Sequence, residues 1–225
     1  MVCKESGGPF ERITREAPDG RNRVLWLGGG SGAGKSTVAH LLAARHDLTL
    51  YDTDAAMARH AARLSREEAP LLHRFMAMDM DARWVDRSPE RMLRTFHWFA
   101  GEGFALIEAD LAAMSGPVIA EGFRILPHLV PPGARAVWLL PTPAFRRAAM
   151  KARGSLWDIP RRTANPERAL ANILERDALV TKHLHAEVKR LGLASIRVDG
   201  SASVEVLAAR VGEAFGLPQS DAADS

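Results

Sequence analysis

The residues Gly29, Gly30, Ser31, Gly32, Ala33, Gly34, Lys35 and Ser36 match the phosphate-binding pattern Gly-x-x-x-x-Gly-Lys-Ser/Thr, with Thr37 directly behind it. In such a loop successive backbone N–H groups and the start of a helix point at one anion. The lysine reaches the β- and γ-phosphates and the hydroxyl meets Mg²⁺. Lys35 and Ser36 are thus the first candidates for holding a nucleoside triphosphate and its metal, and the stretch 29–37 predicts ATP with Mg²⁺ as cofactors. A second group of residues carries acid chemistry. Asp52 and Asp54 are separated by one residue, which on an extended backbone points both carboxylates the same way. Phosphoryl transfer to a hydroxyl benefits from one carboxylate that accepts the proton and another that holds Mg²⁺ through water. Asp54 would alternatively cap the helix that the following residues predict.

The elements around these residues suit the chemistry. Val24 to Leu27 is a short apolar run of the kind expected in a buried parallel strand, and glycines end it abruptly. Behind the loop, Val38, Leu41, Leu42 and Arg45 recur at helical spacing. Further strands are predicted at 48–51, 117–120, 134–140 and 195–198, most of them separated by helical patterns. Five such strands predict a parallel sheet covered on both faces. Ligands bind outside the carboxyl ends of such strands, so Asp52 and Asp54 would face the phosphate loop if their strand neighbours the first. Thr142-Pro143 and Asn165-Pro166 each predict a helix start, and Gly192 a stop. Ser88-Pro89-Glu90 predicts a further helix in which Met92, Phe96, Phe99, Gly103, Ile107 and Leu111 share one face.

Composition bounds the protein class. An apolar content of 47% with 25% charged residues is that of an ordinary soluble globular protein. No apolar run is long enough to span a bilayer, and the opening residues lack the apolar centre of a signal peptide. The single Cys3 makes no internal disulfide, which together with the absent signal predicts a cytoplasmic protein. The net charge of +3 hides an asymmetry, because residues 143–190 hold eleven Lys and Arg against five Asp and Glu, a local +6. A basic segment of this kind suits an enzyme that closes over ATP; for any one of these residues a solvated helix face is the simpler role.

The stretch GSGAGKSTVAHLLAARHDLTLYDTDAAMARH resembles the opening of small P-loop kinases, above all the shikimate and gluconate kinase group, in which a phosphate loop and helix lead to a strand ending in Asp-x-Asp. AVWLLPTPAFRRAAMKARG is similar to the fourth strand and the start of the arginine-bearing lid of nucleoside and nucleotide kinases, and IRVDGSASVEVLAARV to their last strand, adenine-side loop and closing helix. The resemblance implies a three-layer α/β/α P-loop kinase fold with a five-stranded parallel sheet, a helical acceptor insert at 55–116 and an Arg-rich lid at 143–191. Around one domain at 23–216, an N-terminal arm at 1–22 and a disordered tail at 217–225 are expected. The resemblance also implies a metal role for Asp52 and an acceptor role for Asp54. Glu121, at the end of the third predicted strand, occupies a place where P-loop proteins often carry a metal-associated acid that can also face the acceptor, and Arg124 would follow it into the acceptor pocket.

The insert carries no substrate signature. Its patch Asp81 to Arg87 would grip a polar acceptor, and Arg83 and Arg87, if helical, would share a face able to receive an anion; an ordinary surface turn around a half-buried Trp84 is the alternative. In the lid, Arg153 is the first candidate for neutralising the transferring phosphoryl and for contacting ATP, ahead of Arg161 or Arg162. Arg176-Asp177 resembles the Arg-Asp pair of cytidylate kinase lids. The base-reading Asn-Lys-x-Asp of GTPases and the Leu-Ser-Gly-Gly of transporter ATPases are absent. The sequence thus points to a kinase acting on a hydroxyl or phosphate of a small molecule, such as a nucleoside or nucleotide, a sugar acid or an antibiotic-like polyol. A slow regulatory ATPase module, or a kinase of nucleic-acid ends suggested only by the basic lid, are the other readings. No membrane partner is expected, and a nucleic-acid partner is not favoured.

Overall fold

Strand residues alternate between two apolar layers, and this alternation builds the molecule outward from its sheet. The computed structural model describes residues 23–152 and 154–218. Five parallel strands, β1 (Val24–Gly29), β2 (Thr49–Asp52), β3 (Val118–Glu121), β4 (Arg135–Pro141) and β5 (Ser195–Val198), lie in the order β2-β3-β1-β4-β5. Helices α1 (Lys35–His46) and α9 (Val204–Ala214) cover one face. There Leu25, Leu27, Ile119, Val137 and Leu139 meet Val38, Leu42, Leu207 and Val211. The opposite face carries Val24, Trp26, Tyr51, Ala120 and Trp138 against α6 (Phe104–Ala113) and α8 (Pro166–Arg190). The expected α/β class with a three-layer arrangement and a five-stranded parallel sheet is what the chain adopts.

The capping signals read from the sequence hold. Thr142 accepts from the Phe145 N–H at the start of α7 (Pro143–Ala152), and Asn165 from the Arg168 N–H at the start of α8. α8 stops where Gly192 takes a φ of 64°. The single long helix expected from Ser88 does not form. It divides into α5 (Pro89–Thr95) and α6, because the chain reverses between them through Gly101 and Gly103, both at positive φ. The rest of the insert is a set of short helices, α2 (Met57–Ala61), α3 (Pro70–Met76) and α4 (Met80–Trp84). Trp84, Val85 and Met92 pack with Ala169 and Ile173 of α8 in one small core. Two 3-10 turns, Gly154–Trp157 and Pro160–Arg162, join α7 to α8. Residues 1–22 and 219–225, to which the arm and most of the tail were assigned, lie outside the described residues. Among the described residues no helix is long and apolar enough to cross a membrane.

Candidate active site

At the carboxyl end of β1 the chain turns through Gly30 to Gly34 and enters α1 without a side-chain cap and without an acidic residue in the first turn. Gly34 has a φ of 82° with nothing within 4 Å of where a Cβ would stand, so its torsion rather than crowding calls for glycine. The first N–H groups of α1 and its positive dipole end are left to face an anion. Lys35 is buried and donates from Nζ to the Gly30 carbonyl at 3.1 Å, which holds the ammonium inside the loop. Ser31, Gly32 and Ala33 complete the turn, and Ser36 and Thr37 follow on the exposed side of the helix start.

β2 is not the neighbour of β1, because β3 runs between them. Glu121 bridges that separation. It stands in register with Leu27 on one side and Asp52 on the other, so Asp52 and Glu121 project side by side on the α1 face. The Ser36 hydroxyl donates to the buried Glu121 carboxylate. Burial raises the pKa of Glu121 above the ordinary carboxylate range, the Ser36 bond and Lys35 oppose the shift, and Asp52 and Asp54 add to it. Asp54 is raised for the same first reason, burial, against the pull of Lys35 and with Asp52 pushing the same way. Lys35, Ser36, Asp52, Asp54 and Glu121 thus lie within electrostatic reach of one another at one end of the sheet.

The two aspartates reach this position differently from the expectation. β2 ends at Asp52, so Asp54 belongs to the turn beyond it and does not share an extended backbone with Asp52. Asp52, not Asp54, ties that turn: its Oδ1 accepts from the N–H groups of Asp54 at 2.7 Å and Ala55 at 3.0 Å. The Asp54 carboxylate instead accepts from the Thr53 hydroxyl at 3.3 Å, and the nearby Phe123 N–H opposes the rise of its pKa. The turns after β2 and β3 press against each other here. A Cβ on Gly122, whose φ is 143°, would stand 1.8 Å from the Thr53 hydroxyl oxygen.

A buried polar chain runs behind Asp54. Arg124 donates from Nη1 to the Thr53 carbonyl at 3.2 Å and to His60 Nδ1 at 3.0 Å, and from Nη2 to the Gly103 carbonyl at 3.2 Å. Its guanidinium stacks 4.1 Å over Trp98, and burial lowers its pKa to about 10. Because Arg124 has only protons to give, His60 Nδ1 must accept, and the His60 proton is on Nε2, 2.8 Å from Asp110. Burial lowers the pKa of His60 and keeps it in this neutral form. Asp110 also receives the Tyr51 hydroxyl at 2.7 Å. Arg124 therefore braces the turn that carries Asp54.

The other predicted arginines separate from the site. The shared face expected of Arg83 and Arg87 is absent because α4 ends at Trp84. Arg83 donates to the carbonyls of Phe75 at 3.0 Å and Met76 at 2.8 Å, and Arg87 to the Arg83 carbonyl and the Thr95 hydroxyl. Arg161 and Arg162 are exposed. Arg153 lies outside the described residues. The sequence reading missed Arg146, buried on α7, where its backbone lies 3.9 Å from the Cβ position of Gly32 and Nη1 donates to the Leu174 carbonyl at 3.1 Å. Its spacing of four from the buried Met150 was the available signal. Tyr51, His60 and Asp110 were also missed, and only the tertiary fold joins them.

No protein-family model matches the chain, and no curated protein matches it. Among solved structures it is similar to a gluconokinase from Sinorhizobium meliloti 1021 at 15% identity, covering 87% of this chain and 92% of that one with a TM-score of 0.45. It is similar to a deoxyadenosine kinase from M. mycoides solved with bound dATP at 10% identity, covering 86% and 99% with a TM-score of 0.44. It is also similar to an uncharacterized protein from Eubacterium ventriosum at 15% identity, covering 86% and 97% with a TM-score of 0.46.

Proposed function

We propose that the protein is a kinase that moves the γ-phosphoryl of ATP, with Mg²⁺, to a hydroxyl of a small molecule. The observation that carries this reading is the convergence of Lys35, Ser36, Asp52, Asp54 and Glu121 at the carboxyl ends of β1, β2 and β3. Lys35 and the N–H groups of residues 29–37 bind the β- and γ-phosphates and draw charge off the transferring group. Asp54, held by Thr53, takes the acceptor proton. Its raised pKa brings it closer to the basicity a general base needs near neutral pH. A lid arginine, Arg153 first, neutralises charge on the transferring phosphoryl.

Ser36, Asp52 and Glu121 are the residues that would hold Mg²⁺, which when bound neutralises charge between the β- and γ-phosphates. The donor set fits. A buried carboxylate beside a hydroxyl and next to a second carboxylate is a charge pattern that a divalent cation relieves. Among the described residues no cluster of three or more His, Cys, Asp or Glu side chains forms a cage. Mg²⁺ takes few protein ligands and relies on water and substrate phosphates. The test is a screen of hydroxyl metabolites for acceptor-dependent release of ADP. ADP release that ignores every acceptor would instead support a regulatory ATPase.

A further inference from the structure

A cavity of about 670 Å³ opens beside the phosphate loop, within the size range of small-molecule pockets. One end touches Gly29 and Ser31, and the other reaches Arg190. α8 lines it from Val180 to Arg190, about 15 Å of helix rise. It exists because the crossover from β3 to β4, residues 122–134, contains no helix. Parallel strands are usually joined by one, which would fill this side of the sheet. Its apolar walls are Leu93, Phe99, Phe123, Leu126 and Leu184, and Arg94, Lys182 and Arg190 add cations to the lining. Phe99 and Phe123 meet edge to face at 5.7 Å. Phe123 links the cavity to the chemistry, since it lines the wall and follows Glu121 by two residues.

We propose that this groove holds the body of the phosphate acceptor, and that the acceptor is a hydroxyl compound with an apolar alkyl or aromatic body. The inference rests on the kinase reading for the hydroxyl and on the groove for the body. A polyhydroxylated acceptor would leave its hydroxyls unpaired against Leu93, Phe99 and Leu126. Arg124, Arg83 and Arg87 have their hydrogen bonds on protein, Arg124 on Thr53, His60 and Gly103, Arg83 on Phe75 and Met76, Arg87 on Thr95, so an anionic group on the acceptor would meet only Arg94, Lys182 or Arg190 of the groove lining. The far end is different. Glu187 is paired with His128 at 2.9 Å and approached by Arg190 at 3.9 Å, which sets a polar limit to the apolar stretch.

The test uses the full chain with the straight-chain 1-alkanols from propanol to octanol as acceptors, beside glycerol and gluconate. KM for the alkanols should fall about fourfold per added methylene, the partition value of a buried CH₂, until the groove is full. Ala100→Trp, and independently Val180→Phe, should raise KM for octanol about tenfold or more. Binding is read separately by the fluorescence of anilinonaphthalene sulfonate with a non-hydrolysable ATP analogue present, and octanol should displace it in the wild type but not in either variant. Displacement without any phosphoryl transfer upholds the groove and sinks the kinase reading. Transfer to glycerol or gluconate with no chain-length dependence, unaffected by both variants, upholds the kinase and overturns the groove. Absence of probe binding to the wild type also overturns it.

Discussion

At the carboxyl edge of the sheet, Lys35, Ser36, Asp52 and Glu121 are presented toward a common space, whereas in the helices and loops around them Arg83, Arg87, Arg124 and Arg176 are turned inward. Below, main-chain geometry does the presenting. The turn at Gly34, the strand register of Glu121 with Asp52, and the Asp52 carboxylate on the N–H groups of Asp54 and Ala55 set the side chains. Above, tertiary packing absorbs the charge. Arg176 lies 2.7 Å from Asp177 and stacks on Trp84 and Phe96, and Arg83 closes the carbonyl end of α3. A charged residue thus marks a ligand only where the backbone and its neighbours have not already taken its hydrogen bonds.

The comparison breaks most sharply at Asp54. Asp54→Asn should lower acceptor-dependent turnover by roughly 10²–10⁴-fold, the range for a lost general base, with ATP affinity unchanged. The same variant should raise Tm at neutral pH. A carboxylate whose native pKa is raised stabilises the fold below its unfolded pKa and loses that contribution as pH rises through the native value. From the ordinary values of 3.8 for Asp54 and 4.5 for Glu121 upward, stability should therefore fall while turnover rises. Thermal melts and initial rates over that pH span check both signs. Turnover that falls as stability falls would contradict the assignment.

Arg124 tests the roof. Arg124→Ala leaves the Thr53 carbonyl and His60 Nδ1 without their donor, while the Gly103 carbonyl keeps the Leu106 N–H, and should cost about 3 kcal/mol in denaturant unfolding. Arg124→Lys keeps the charge but cannot span the three acceptors, so a smaller loss of stability with a turnover defect and unchanged ATP affinity is expected. If Arg124→Ala leaves stability intact yet raises KM for the acceptor alone, the residue contacts substrate after all.

The difference between the two regions also decides what the sequence revealed. The phosphate loop, all five strands and the starts of α7 and α8 were legible because a glycine-rich pattern, short apolar runs and proline-adjacent caps are local signals. The helix expected from Ser88 to Leu111 was not, since Gly101 and Gly103 look tolerable in a helical pattern until Leu64, Trp98 and Arg124 are packed around Gly103. The tie between Tyr51, His60, Asp110 and Arg124 joins residues far apart in the chain, and no spacing announces it.

The smallest expected effect lies where the lid meets the insert. Asp81 accepts from the Ala164 N–H at 2.8 Å, and Asn172 donates to the carbonyls of Trp84 and Val85. Asp81→Ala should cost about 1 kcal/mol and speed amide exchange at Ala164 without changing exchange in α1. Equal exchange at Ala164 in both proteins would show that the lid is held by the Trp84 core alone.

The most direct measurement of the account follows the γ-phosphorus of labelled ATP through a reaction with Mg²⁺ and an accepted alcohol, in the wild type and in Lys35→Ala. The account predicts label on the alcohol, in amount equal to the ADP formed, and a loss of roughly 10²–10³-fold in the variant, the cost of removing one preorganised charge from a transition state. Label released only as inorganic phosphate, at the same rate with and without the alcohol, would contradict it.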